Sequence, residues 1–203
     1  LFVVKTWVIT GGIGTGKSAF AACLKRLTSI RCSAFSADAA VHVAYESPVI
    51  REQIAGQLCI PYCSEEGSQH FRVRVRSAVL EEPSKRRALE EILHPLVWQA
   101  YAEACERGQK EGIKVLVAEV PLYYETRGAV AADCVITVAA SRATQLHRLQ
   151  SDRALDALTS ENLLMMQMPL VQKIERADVV IWNDGSFGAL EEQALLLLRQ
   201  ANL

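Results

Sequence analysis

The 203-residue sequence predicts an α/β fold: a parallel sheet flanked by helices, with a helical insert and a lid. Three observations carry this. Short apolar runs rich in β-branched residues alternate with stretches of helical periodicity. A glycine-rich octapeptide stands between the first such run and the first helix. From Pro48 to about Gly112 the alternation lapses into successive helical patterns.

Val3 to Thr10 reads as a buried strand, Gly11 to Gly16 as a turn and Lys17 to Leu27 as a helix, with Ala19, Phe20, Cys23, Leu24 and Leu27 at near-helical spacing. Cys32 to Phe35 is a second strand ending at Ser36-Ala37-Asp38, and Ala39 to Tyr45 is helical. The insert holds helices over 48–58, 71–81 and about 84–107, punctuated by Pro61, Gly67 and Pro83. Ile113 to Ala118 is apolar on both faces, as a central parallel strand is. Val135 to Ala139 is a fourth strand, with Ser141 placed to cap the helix from Arg142 to Leu149. A helix is expected from Ser160 to Arg176 despite Pro169, then a fifth strand from Val179 to Trp182. Ser186 can cap a last helix that turns Leu190, Ala194, Leu197 and Leu198 to the core. The expected domains are a core of 1–47, 113–141 and 177–203, an insert of 48–112, and a lid with its connecting helix at 142–176.

Half the residues are apolar, and the formal charge is −1. With a pI near 6.5 there is no global basic field, so no nucleic acid is expected as partner. The six cysteines match neither a disulfide framework nor a four-ligand zinc site. Cys59 and Cys63 are spaced to share a helix face, and free thiols in a reducing compartment are the preferred reading. The apolar opening runs straight into the glycine loop, so no signal peptide is expected. No apolar run reaches the roughly 18 residues of a spanning helix. A cytoplasmic protein without a membrane partner, monomeric or weakly homo-oligomeric, is the expectation.

The octapeptide Gly11-Gly12-Ile13-Gly14-Thr15-Gly16-Lys17-Ser18 satisfies G-x-x-x-x-G-K-[ST], the phosphate-binding P-loop. Backbone amides from Gly12 to Lys17 can curl around a β-phosphate, and the helix that follows points its positive end at the same anion. Lys17 can bridge the β- and γ-phosphates, and Ser18 can ligate Mg²⁺. ATPases, GTPases and metabolite kinases share this loop. A GTP switch is disfavoured by the absence of N-K-x-D.

Asp38 follows the second strand, where loops of a doubly wound sheet line the ligand crevice. It can accept a proton from a substrate hydroxyl, help hold Mg²⁺ through water, or cap a helix. Arg72, Arg74 and Arg76 form either an acceptor-phosphate patch or a solvated face, Arg72 and Arg76 sharing one side. His94, before Pro95, reads as a substrate donor or, taken alone, as a buried hydrogen-bonded histidine. Glu119-Val120-Pro121-Leu122 closes the third strand, and Glu119 can couple to Mg²⁺ or an arginine. Arg142, Arg148 and Arg153 fall where kinases of this shape carry a lid that closes on ATP and excludes water.

Taken in order, these segments resemble the dephospho-coenzyme A kinase family over nearly the whole chain. The loop TGGIGTGKS, Ser36-Ala37-Asp38, Leu93-His94-Pro95, VPLYYET at 120–126, Gln145-Leu146-His147-Arg148-Leu149, Gln167, Lys173, and Ala177-Asp178 followed by VVIWNDG at 179–185 carry the likeness. The resemblance implies transfer of the γ-phosphoryl group of ATP, with Mg²⁺, to the ribose 3'-hydroxyl of dephospho-CoA. It implies that Gly12, Ile13, Gly14, Thr15, Gly16, Lys17, Ser18 and Ala19 hold ATP. It makes Asp38 the general base, sets Arg148 on the ATP phosphates and puts Asn183 and Gly185 near the adenine. Arg72, His94, Pro121 and Leu122 would contact dephospho-CoA. The chain departs from the family pattern at Ser36, at Phe71 (in place of an acidic residue), at Asp152 and Arg153, and at Val171 and Gln172. Other readings are a P-loop kinase for another small metabolite, such as a nucleoside monophosphate, and a non-catalytic ATP-binding protein.

Overall fold

The computed structural model describes residues 4–28, 32–126 and 130–203, the Pro83 side chain excepted. Val3, the expected first residue of the opening strand, lies outside them. The chain divides into two compact units: Leu1–Ser36 with Ala104–Leu203, and Ala37–Glu103.

The strands are β1 (Lys5–Gly11), β2 (Cys32–Ser36), β3 (Val115–Glu119), β4 (Cys134–Ala139) and β5 (Val179–Trp182). The helices are α1 (Lys17–Leu27), α2 (Ala37–Glu46), α3 (Pro48–Leu58), α4 (Ser68–Glu81), α5 (Pro83–Lys110), α6 (Arg142–Ser151), α7 (Ala157–Met165), α8 (Leu170–Glu175) and α9 (Phe187–Gln200).

In the first unit the strands form one sheet in the order β2-β3-β1-β4-β5, with every pairing parallel. β1 is central, so the loop after it leaves the carboxyl edge between two neighbours, at the point where ligands bind in open parallel sheets. Trp7 and Ile9, Val117, Ile136 and Val138, and Ile181 pack on one face against Phe20, Cys23 and Leu24 of α1 and Leu190, Ala194, Leu197 and Leu198 of α9. Burying each of the larger side chains is worth roughly 1.5–3 kcal/mol. The alternation turns Thr10 and Thr137 to the other face. Both are buried, and their hydroxyls donate to the carbonyls of Pro121 (3.1 Å) and Lys173 (3.3 Å). Ser141 and Ser186 cap α6 and α9, accepting from the Thr144 and Ala189 amides as the sequence suggests.

The single helix expected over 160–176 is two. α7 ends at Met165 and α8 starts at Leu170, with Pro169 at its cap in an extended conformation (φ −50°, ψ 133°). Proline has no amide to continue the helix, and its ring crowds the preceding turn. The freed stretch makes tertiary bonds instead: the Met168 amide donates to Glu125 Oε1 at 3.0 Å.

The second unit is helical and has its own core of Tyr45, Ile54, Ala55, Leu58, Phe71, Val75 and Leu93. The fully buried Phe71 ring meets Tyr62 edge-on (5.9 Å, 79°) and Tyr45 at a tilt (6.2 Å, 56°). The family's acidic position is therefore a core position here. Buried Arg51 donates from Nη1 to the carbonyls of Tyr45 and Glu46 at the end of α2. Cys59 and Cys63 do not share a helix face. Cys59 ends α3 in a left-handed conformation (φ 52°), and Cys63 lies in the loop beyond Pro61. Among the described residues no helix is long and apolar enough to cross a membrane.

Candidate active site

The loop from Gly11 to Gly16 joins β1 to α1. At Gly16 the backbone is left-handed (φ 89°, ψ 29°), and a Cβ there would stand 2.2 Å from Asn183 Nδ2. Glycine meets both conditions. A Cβ at Gly11 (φ 144°) would stand 2.2 Å from the Val138 carbonyl oxygen, so the strand packing also requires glycine there.

Five successive loop carbonyls accept hydrogen bonds from side chains. Gly11 O accepts from Lys173 Nζ (3.3 Å), Gly12 O from Lys17 Nζ (2.8 Å) and Thr15 Oγ1 (2.9 Å), and Ile13 O from Gln145 Nε2 (2.6 Å). Gly14 O accepts from Arg148 Nη1 (3.1 Å) and Thr15 O from Asn183 Nδ2 (2.8 Å). Within a planar trans peptide the N–H lies antiparallel to the C=O. The Gly14 and Gly16 amides therefore point away from Gln145 and Asn183. No side chain caps α1, since Gly16 has none, and the first-turn amides of Ser18 and Ala19 have no acceptor within the helix. Such a run of amides is an anion-binding concavity at a positive helix end. Two predicted cradle amides are committed elsewhere: Ile13 N–H donates to Gln167 Oε1 at 2.9 Å, and Thr15 N–H to the Gly12 carbonyl at 3.4 Å.

Lys17 is half-buried, with its ammonium on the Gly12 carbonyl and 3.5 Å from the Gly11 carbonyl. The Ser18 hydroxyl donates to Glu119 Oε1 at 2.6 Å. β1 and β3 are paired in the register Ile9↔Glu119, which brings the end of β3 beside the strand that leads into the loop.

Arg148 is a half-buried residue of α6, and its second arm donates from Nη2 to the Asn183 carbonyl at 2.9 Å. Asn183 is buried at the end of β5, its amide donating to the Ala139 carbonyl. Exposed Gly185 follows in the turn before the α9 cap. In that turn the Asp184 carboxylate accepts from the Ser141 amide (2.9 Å) and from Trp182 Nε1 (2.8 Å). The Thr144 hydroxyl above all, with Ser141 and Trp182, holds its pKa below the ordinary carboxylate range. Pro121 and Leu122 open the half-buried turn after β3. The Pro121 carbonyl accepts from Thr10 Oγ1 and from Lys173 Nζ (3.2 Å).

The remaining sequence candidates belong to the second unit. Asp38 is exposed and is the second residue of α2, inside the first turn rather than at the flanking cap position. Arg72 is exposed on α4, with Nη1 2.6 Å from His42 Nδ1 and its guanidinium 5.6 Å over the Tyr45 ring. Burial pushes the Tyr45 hydroxyl up, and Arg72 partly opposes that. Arg74 is engaged by Glu66 Oε1 (2.6 Å) and the Pro61 carbonyl (2.6 Å). His94 is half-buried rather than buried, its ring tilted 30° against Trp98 at 5.8 Å.

Sequence reasoning assigned no role to Gln145, Gln167 or Lys173. Their place in the family-like segments is the signal the sequence carries, and it names no partner for them. Which carbonyl or amide each one reaches depends on how the helices pack.

The family model for dephospho-CoA kinase matches residues 6–188. The dephospho-CoA kinase of Desulfotalea psychrophila is 33% identical over 193 residues, covering 94% of each chain. That of Bartonella quintana is 32% identical over 173 residues, covering 85% of this chain and 86% of the relative. A crystal structure from Thermus thermophilus superposes with a TM-score of 0.81 at 24% identity, covering 98% of each chain, and so shares the fold. With the family pattern running through both compact units, the chain belongs to the dephospho-CoA kinase family of small-molecule kinases.

Proposed function

We propose that the protein transfers the γ-phosphoryl group of Mg²⁺–ATP to the ribose 3'-hydroxyl of dephospho-CoA, giving coenzyme A and ADP. The observation that carries the nucleotide half of this reading is the loop whose carbonyls from Gly11 to Thr15 are all held by side chains. Its remaining amides, with those of Ser18 and Ala19, suit a β-phosphate. Lys17 moves from the Gly12 carbonyl to the β- and γ-phosphate oxygens, where charge builds during transfer.

The donor set fits Mg²⁺. One hydroxyl and one carboxylate, Ser18 and Glu119, stand 2.6 Å apart, and Mg²⁺ takes one or two protein groups together with phosphates and waters. The ion neutralises developing phosphate charge when bound. Ser18 holds it, and Glu119 orients that hydroxyl. Arg148, Asn183 and Gly185 line the nucleotide end of the site, with Arg148 meeting phosphate when 142–176 closes as a lid.

For the acceptor half, support comes from family membership and from the sequence match at Asp38, Arg72, His94, Pro121 and Leu122. Asp38 acts as general base, orienting the ribose hydroxyl and taking its proton as the P–O bond forms. The 48–112 insert supplies Arg72 and His94 to the acceptor, and the half-buried turn at Pro121 and Leu122 gives it an apolar edge.

The test is an ADP-release assay with dephospho-CoA, adenosine monophosphate, shikimate or water as acceptor, with identification of the 3'-phosphorylated product. Dephospho-CoA should be preferred by a wide margin in kcat/KM. Faster phosphorylation of another metabolite would overturn the assignment, and ATP binding without turnover on any acceptor would make the chain a nucleotide-binding protein.

A further inference from the structure

We infer that Lys173 is a positioning residue for phosphoryl transfer, fixing the start of the phosphate loop to the segment after β3. The inference rests on the kinase reading of the loop but not on the identity of the acceptor.

Lys173 stands on α8 between Leu170 and Ile174, and its side chain is wholly buried. An ammonium removed from water needs acceptors for its three protons. Lys173 Nζ has three: Glu125 Oε1 at 2.8 Å, the Pro121 carbonyl at 3.2 Å and the Gly11 carbonyl at 3.3 Å. Gly11 ends β1 and begins the loop. Pro121 and Glu125 belong to the turn after β3, the strand that ends at Glu119. One side chain therefore spans the two chain segments that carry the loop and the Ser18–Glu119 pair.

The Gly11 carbonyl is also the weaker of the two resting contacts of Lys17, at 3.5 Å against 2.8 Å for Gly12. Two ammonium groups approach one oxygen. Lys173 shares that acceptor from the shorter distance, which leaves Lys17 the looser hold on it. Glu125 adds a second route to the loop. Its Oε1 also accepts from the Met168 amide, next to Gln167, whose side chain holds the Ile13 amide.

A buried ion pair is often replaceable by apolar groups without loss of stability. A purely structural Lys173 would thus leave catalysis per folded molecule unchanged when the pair is removed together. Two variants test this. Lys173→Met with Glu125→Gln removes both charges, so neither is stranded. Lys173→Gln keeps an amide donor at similar volume. Each is measured for its melting curve, for the ratio of ADP to AMP affinity by calorimetry, and for kcat and KM. AMP lacks the phosphate that the loop holds, so the ratio reads the loop without turnover.

In the folded variants the ADP preference should fall about 10-fold, the size of a lost contact to a charged group. On the acceptor that wild type uses, kcat should fall up to about 10²-fold through misplacement, with KM for that acceptor unchanged. A folded variant that keeps the wild-type ADP:AMP ratio and kcat overturns the proposal. If wild type instead prefers a different acceptor, the dephospho-CoA reading fails while the ADP:AMP comparison still decides the role of Lys173.

Discussion

The phosphate loop and the Arg72 cluster are both candidate anion sites, and they are built in opposite ways. In the loop the backbone is the candidate binding element, and four of its five carbonyls are held in place by side chains from α6, α8 and the residue after β5. Gln145, Lys173 and Asn183 are buried, so the cradle is set before any ligand arrives. In the second unit the side chains themselves face solvent. Arg72 rests on His42 and Tyr45, and His42 lies 3.7 Å from Glu46, contacts that exposed groups exchange at little cost. A preorganised cradle acts on the transition state, whereas an exchangeable surface acts on binding. Changes in the loop should therefore appear in kcat, and changes around Arg72 in KM.

Asp38 is the severest challenge to that division, because it is exposed like Arg72 yet is assigned chemistry. Asp38→Asn keeps size and one acceptor oxygen but removes the basicity. Turnover with dephospho-CoA should fall by about 10²- to 10⁴-fold, with ATP affinity little changed. Titration calorimetry beside steady-state kinetics decides it. A change confined to KM would place Asp38 with Arg72, and one confined to Mg²⁺–ATP affinity would place it in the metal shell.

Lys17→Ala should cost about 10²-fold in kcat, as removal of a transition-state donor does, with a smaller effect on the KM for dephospho-CoA. Turnover at the wild-type rate would mean that the loop is not where the phosphoryl group reacts. Arg72→Ala sharpens the other half of the comparison. Losing a charge-assisted contact should raise the KM for dephospho-CoA by about 10-fold or more while kcat holds. An equal loss in kcat would show that the exposed cluster contributes to the transition state.

The smallest effect concerns the turn before the α9 cap. The Asp184 pKa is depressed from its ordinary value of 3.8, so the folded state binds this proton less readily than the unfolded state. Its contribution to stability is present above that ordinary value and is lost as pH falls through the depressed folded value. Melting temperatures across the acid range should decline less steeply for Asp184→Asn than for wild type. Parallel acid limbs would remove Asp184 from the linkage.

The sequence determined the parallel α/β class, the loop at Gly11–Ser18 and the caps at Ser141 and Ser186, because local spacing and residue type encode them. Periodicity also marked the four helices of the second unit. It failed at Pro169, where bonds to Glu125 help set the chain's course, and the spacing of Cys59 and Cys63 misled, because the helix ends at Leu58 as its periodicity indicates. It could not assign partners to Gln145, Gln167, Arg148, Asn183 and Lys173, which lie more than 130 residues from the loop atoms they hold. Hydrogen bonds over such separations exist only once β4, β5 and the helices beside them have packed against β1. The tertiary structure alone decided which carbonyls were held and hence which amides of the loop were left for an anion.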